Sequence, residues 1–168
     1  MPTYRTHDAG AGSDRRGRAS ITREALALML ADCRRRYPAE ACGALACSRP
    51  DEGPLANRLP EGCVGPANAV YPIRNAALSS GKTFAFDPSD WIRTVYGIQK
   101  NRQSLAGIYH SHPRTEPVPS AADLAGLRYL KADSYWIISL ANPAEPHIQA
   151  YRLQDGRLLP LMLAEVSV

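Results

Sequence analysis

The chain has 168 residues, 45% hydrophobic and 21% charged, which is material for one domain with enough apolar content to form a core. That composition excludes collagen-like, coiled-coil and wholly disordered chains. The net charge of +4 excludes little, because Arg5, Arg15, Arg16 and Arg18 against Asp8 and Asp14 place +2 of it on the first 19 residues.

Residues 1–19 are rich in Gly, Ser and Arg and read as a disordered basic tail, since they hold too little apolar surface to order themselves. No aromatic side chains alternate with the arginines, so a solvated tail fits better than contact with nucleic acid. The chain opens without an apolar h-region, and its longest apolar run, Ala25–Ala31, is seven residues against the ~20 needed to cross a bilayer. The expectation is a cytoplasmic protein that does not associate with membranes. Its four cysteines, Cys33, Cys42, Cys47 and Cys63, contain no C-x-x-C pair and are expected as free thiols.

The folded domain is expected over residues 20–168. Ser20 has the hydroxyl of an N-cap, and Leu26, Leu30, Cys33 and Tyr37 then recur at helical spacing until Pro38 stops the helix. Arg34, Arg35 and Arg36 stand at its C-terminal end, where cations suit the helix dipole. Gly43–Ser48 suits a short strand, residues 49–62 a loop, and Val64–Ile73 an extended segment that Pro66 and Pro72 make an edge or irregular strand. Asp87-Pro88-Ser89-Asp90 supplies an N-cap, a proline at the first helical position and an acid at the third, and Trp91, Val95 and Ile98 form the buried stripe of that helix. Leu105–His110 reads as a strand, followed by a loop with Pro113, Pro117 and Pro119 and a third helix opening at Ser120. Tyr135–Leu140 is a buried-strand run, and His147–Gln154 and Arg157–Val166 flank the hairpin turn signal Asp155-Gly156. The expected class is mixed α/β with a mostly antiparallel sheet and no second domain.

The stretch that carries chemistry is His110-Ser111-His112-Pro113, followed by Asp123 after ten intervening residues. Histidines at i and i+2 on a strand project from the same face and can converge on one ion. Asp123, from the first turn of the next helix, adds a carboxylate oxygen. Two nitrogens and one oxygen leave a fourth tetrahedral position open, which is the composition of a catalytic zinc site rather than a structural one. Ser120-x-x-Asp123 is equally the pattern of a capping box, and the two readings are compatible because one carboxylate can serve both. Ser111 falls on the opposite face and is expected to bond the backbone. Glu40, just after a proline near a helix end, reads on its own as a solvated loop residue, and Cys42 as core.

These residues, with Tyr37-Pro38-Ala39-Glu40-Ala41-Cys42-Gly43 upstream, resemble the JAMM (MPN-plus) zinc metallopeptidases over roughly residues 21–153. The Y-P-x-E-x-C-G lead-in is similar to the compact bacterial branch, sulfur-carrier-protein peptidases, as more loosely are Pro72–Asn75 and Phe86-Asp87-Pro88. The resemblance implies a JAMM/MPN-like sheet flanked by helices, with a cytidine-deaminase-like architecture. It also implies Zn²⁺ held by His110, His112 and Asp123. Glu40 would be the general base that passes a proton to the leaving amine, and Ser120 the hydrogen-bond donor to the oxyanion. Larger members cleave ubiquitin-like tails from lysine, whereas small bacterial members trim residues from the Gly-Gly end of ubiquitin-fold sulfur-carrier proteins. The short chain points to the second group, so the implied partner is such a carrier's tail. The alternative is a non-catalytic MPN-type scaffold, but those members lack the ligands that are all present here. A zinc nucleobase deaminase needs H-x-E and P-C-x-x-C, and the chain has neither.

Overall fold

The computed structural model describes residues 17–48, 65–127 and 129–167. Ten elements follow in order: β1 (Arg18–Thr22), α1 (Arg23–Arg36), β2 (Cys42–Ser48), β3 (Ala69–Ile73), α2 (Pro88–Lys100), β4 (Gln103–His112), α3 (Ala121–Leu127), β5 (Ser134–Ser139), β6 (His147–Gln154) and β7 (Arg157–Val166). The strands form one sheet in the order β1-β7-β6-β5-β4-β2-β3. Only β1–β7 and β4–β5 pair in parallel; the other four pairings are antiparallel. The mixed, mostly antiparallel sheet expected from the sequence is therefore present.

Helices cover both faces. Ala25, Leu26, Met29, Leu30 and Cys33 of α1 pack on Tyr109, Trp136 and Ile138. Ile98 of α2 and Leu127 of α3 pack on Ile108, Ile137 and Tyr135 from the other side. Strand alternation explains the division, since Tyr109 faces α1 while its neighbour Ile108 faces α2. Each large side chain so buried stabilises the fold by roughly 1.5–3 kcal/mol. Among the described residues no helix is long and apolar enough to cross a membrane.

Two expectations near the N-terminus need correction. The cap of α1 is Thr22, whose side chain accepts from the Ala25 N–H at 3.2 Å, and not Ser20. Ser20 lies in β1, as do Arg18 and Ala19, which the sequence assigned to the tail. Parallel pairing with β7 holds this segment extended, and hydrogen bonds from the Thr22 N–H to the Ala67 carbonyl and from the Ala67 N–H to the Ser20 carbonyl tie it to the approach to β3. Residues 1–16 and the loop expected at 49–62 lie outside the described residues.

The remaining elements agree closely with the sequence. Asp87 caps α2 through the Asp90 N–H, with Pro88 at the first turn; Ile98 is buried, while Trp91 and Val95 are half-buried. β3 is an edge strand containing Pro72. Asp155 and Gly156, at φ 51° and 74°, make the β6–β7 turn with the left-handed backbone that a tight hairpin requires. Cys33 and Cys42 are free buried thiols. Cys47 is disulfide-bonded, so the free-thiol expectation fails there.

One close approach governs how α1 sits on the sheet. Gly43 on β2 is the register partner of Tyr109 on β4, whose ring lies across it. A Cβ at position 43 would come within 2.4–2.5 Å of the ring and hydroxyl. Tyr109 uses that room to reach the buried Asp32 of α1, donating to its carboxylate at 2.8 Å. Gly43→Ala is expected to cost about 1–3 kcal/mol through this overlap, measured as a lower urea midpoint with an unchanged slope.

Candidate metal centre

Strand β4 continues through both histidines, so His110 and His112 share the α2/α3 face of the sheet with Ile108. Ser111 points the other way, and its Oγ accepts from the Ala41 N–H at 2.8 Å, as its position on the strand predicts. Because β4 and β5 are parallel, the chain must cross over between them, and α3 forms just beyond the C-terminal end of β4. Asp123 in its first turn is thereby brought to the end where His112 lies.

The three side chains converge. Their ring nitrogens, His110 Nε2 and His112 Nε2, are 3.1 Å apart, and each lies 3.2 Å from one Asp123 oxygen, Oδ1 and Oδ2 respectively. Donors at 2.0–2.1 Å from a tetrahedral zinc ion stand roughly 3.3 Å apart. The spacing and chemistry of this buried set therefore suit a metal ion of that size. The carboxylate also closes the capping box, with Oδ2 accepting from the Ser120 N–H at 2.7 Å and Ser120 Oγ accepting from the Asp123 N–H at 3.1 Å. Both sequence readings of S-x-x-D thus hold at once.

The rings are fixed by their surroundings. His112 Nδ1 donates to the Glu116 carbonyl at 2.9 Å; since a carbonyl only accepts, Nδ1 carries a proton, and Nε2 faces the cluster. That loop is held at three consecutive carbonyls: Ser139 Oγ donates to Thr115 at 2.7 Å, His112 to Glu116, and the Tyr151 hydroxyl to Pro117 at 2.6 Å. Phe84 stacks on His110 with ring centroids 4.5 Å apart.

Glu40 joins the group by register. Cys42 pairs with His110, and Ala41 exchanges hydrogen bonds with Ser111, so the next residue on β2's approach lies opposite His112. Contrary to the solvated-loop reading, Glu40 is only 4% exposed, and its Oε2 is buried without a hydrogen-bond partner. Burial pushes its carboxyl up to about 7; the charge of His112 works against that shift and Asp123 adds to it. For Asp123, burial opposes ionisation, but hydrogen bonds from His110 and His112 prevail and hold its carboxyl well below the usual range. Burial lowers His110; at His112 it is outweighed by the bonds to Asp123 and the Glu116 carbonyl, which raise it.

A cleft of about 270 Å³ adjoins Asp123, walled by Thr83–Phe86 on one side and Ala122, Gly126 and Tyr129 on the other. A hollow of about 420 Å³ around Ser104, Lys131 and Tyr135 is larger but touches none of the five residues just described.

A family model for prokaryotic homologs of the JAB domain matches residues 22–154. The chain belongs to that family. It is 30% identical over 128 residues to the CysO-cysteine peptidase of Mycobacterium tuberculosis, covering 76% of this chain and 77% of that one. It is 33% identical over 86 residues to the desampylase of Haloferax volcanii, covering 51% of this chain and 52% of that protein, so this match spans about half of the relative's length. Among solved structures, the solution structure of DSY2949 from Desulfitobacterium hafniense superposes with a TM-score of 0.68 at 28% identity, covering 89% and 94% of the two chains.

All five residues singled out in the sequence thus lie in or beside one cluster of this JAB-family fold. Three neighbours were not foreseen. Phe84 has no motif to announce it, and Ser139 and Tyr151 act through carbonyls that carry no sequence signal. The raised Glu40 carboxyl has a measurable consequence in the metal-free protein. Between about 4.5 and about 7 the folded state retains a proton that the unfolded chain has lost, so this residue's contribution to stability falls as pH rises through that window. EDTA-treated Glu40→Gln, unfolded in urea at pH 5 and pH 8, should therefore gain stability relative to wild type on going to the higher pH.

Proposed function

We propose that the chain is a zinc-dependent peptidase or isopeptidase that hydrolyses the amide bond after the C-terminal Gly-Gly of a ubiquitin-like sulfur-carrier protein. The observation that carries this reading is the unpartnered Glu40 Oε2 beside a His-His-Asp cluster. A structural metal site would not need a buried carboxylate with spare acceptor capacity, whereas a hydrolytic site needs one. The names of the relatives, a CysO-cysteine peptidase and a desampylase, support the same class.

His110, His112 and Asp123 would hold the ion. Bound there, zinc supplies Lewis acidity and brings the pKa of water from 15.7 toward ~7. Glu40, with its carboxyl raised to about 7, is suited to take a proton from the attacking water at neutral pH and release it to the leaving amine. Water oxygen joins the carbonyl carbon, the C–N bond breaks, and the proton held on Glu40 Oε2 leaves on nitrogen. Ser120 Oγ is engaged as an acceptor by the Asp123 N–H, so its own hydroxyl proton remains for the oxyanion.

The tail reading is supported by the cleft. Thr83 and Ala85 direct backbone groups toward Asn75 and Ala76, and among the described residues the Phe84 N–H and carbonyl take no hydrogen bond. An extended peptide could pair along that edge. Ala122 and Gly126 face it with almost no side chain, which suits a strand that itself lacks Cβ atoms.

Purified wild-type protein with zinc, mixed with a sulfur carrier extended by one residue beyond Gly-Gly, should shed that residue by intact mass; an unchanged carrier overturns the reading. Glu40→Gln should lower turnover by ~10²–10⁴ and Ser120→Ala by ~10²–10³, both with zinc retained. His112→Ala should lose the zinc itself by metal analysis.

A further inference from the structure

The asparagine that ends the Pro72–Asn75 stretch uses all four hydrogen-bonding positions of its side-chain amide. Nδ2 donates to the Glu40 carbonyl and the Thr83 carbonyl, each at 3.0 Å. Oδ1 accepts from the Ala77 N–H at 2.9 Å and the Ala85 N–H at 3.0 Å. Both of those partners are backbone donors, so the oxygen and nitrogen of this amide cannot be exchanged.

Both halves of the amide engage the loop that follows, and one donor also reaches Glu40. The acceptor half closes the loop from Ala76 to Ala85, beside an antiparallel bridge between Asn75 and Phe86. The donor half is divided between the same loop, at the Thr83 carbonyl, and the main chain of Glu40. Among the described residues no hydrogen bond reaches the Glu40 carboxylate, and its Oε2 is buried and unpartnered. With no hydrogen bond of its own, the carboxylate depends for its position on how the main chain beside it is held. Its N–H reaches the Ser80 carbonyl at 2.6 Å, its carbonyl receives Asn75, and the next residue is fastened to Ser111. Two of these three ties run to the same loop, which continues into Phe84, the ring stacked on His110.

We propose that Asn75 is a positioning residue for Glu40: its donor half, tied to the Glu40 carbonyl and to the loop at Thr83, sets where the carboxylate stands relative to His110, His112 and Asp123. The inference rests on the reading of Glu40 as general base. Asn75→Asp tests it, because the carboxylate keeps the acceptor geometry for Ala77 and Ala85 and removes both N–H donors.

The experiment is a double-mutant cycle with Glu40→Gln, assayed on the extended sulfur carrier with zinc content measured for every protein. Asn75→Asp should lower kcat about 100-fold in the wild-type background, the scale expected when a reacting group is misplaced by ~1 Å, with zinc content unchanged. In the Glu40→Gln background the same substitution should cost no more than about twofold, because the group it positions has already been removed. An equal loss in both backgrounds, or no loss in the wild-type one, overturns the proposal. Full activity of Glu40→Gln alone would overturn the base assignment and this inference with it, and is visible separately from the Asn75 result. Asn75→Ala, taken through the same cycle, carries the test if the added charge prevents Asn75→Asp from folding.

Discussion

The Asp123 carboxylate is the interaction on which the centre depends. It accepts from the Ser120 N–H, so it starts α3, and it faces both imidazoles at 3.2 Å, so it orders the centre. Each role constrains the other: turning the carboxylate toward solvent would open the capping box and leave two buried rings facing one another. Everything that brings this contact about is a consequence of strand geometry. The period of β4 puts both rings on one face, and the parallel β4–β5 pairing sends the chain over to form α3 at the end where His112 lies. Three side chains on three adjacent strands then hold the intervening loop by its carbonyls.

Two buried carboxylates of this fold are partnered very differently. Asp32, 4% exposed, receives the Tyr109 hydroxyl at 2.8 Å and the guanidinium groups of Arg35 and Arg36 at 2.8 and 3.0 Å. Glu40 is equally buried, and among the described residues its carboxylate receives no hydrogen bond. A buried acceptor without a partner is costly, and this one stands beside the cluster of His110, His112 and Asp123. The stability given up at Glu40 is the same physical fact as its capacity to hold a proton near neutrality.

The parts of the site that were legible in the sequence are the local ones. H-x-H and S-x-x-D encode a strand face and a helix start within a few residues of each other, and their convergence needs only the intervening loop. Glu40 is different. By itself it has the marks of an exposed loop residue, and only the family resemblance assigned it a role; its burial comes from the register between β2 and β4, set by residues nearly seventy positions apart. The same distinction explains the fold. The capped helix α2 and the β6–β7 hairpin declare themselves locally. β1 does not, because Arg18–Thr22 is held extended by β7 at the far end of the chain, and the capping hydroxyls of Ser20 and Thr22 are interchangeable until that pairing is known. Phe84 is silent for a similar reason, since its stacking on His110 depends on how the loop after β3 closes.

The crossing of Tyr109 over Gly43 has a consequence for how such a chain can drift. A side chain at position 43 and an aromatic ring at position 109 compete for the same space. A lineage that acquires the first must give up the second, and with it the hydroxyl that anchors Asp32 beneath α1. Positions 32, 43 and 109 therefore form one heritable unit: a glycine, a tyrosine and an aspartate that are expected to persist together or to be replaced together, although none of them belongs to the cluster of His110, His112 and Asp123.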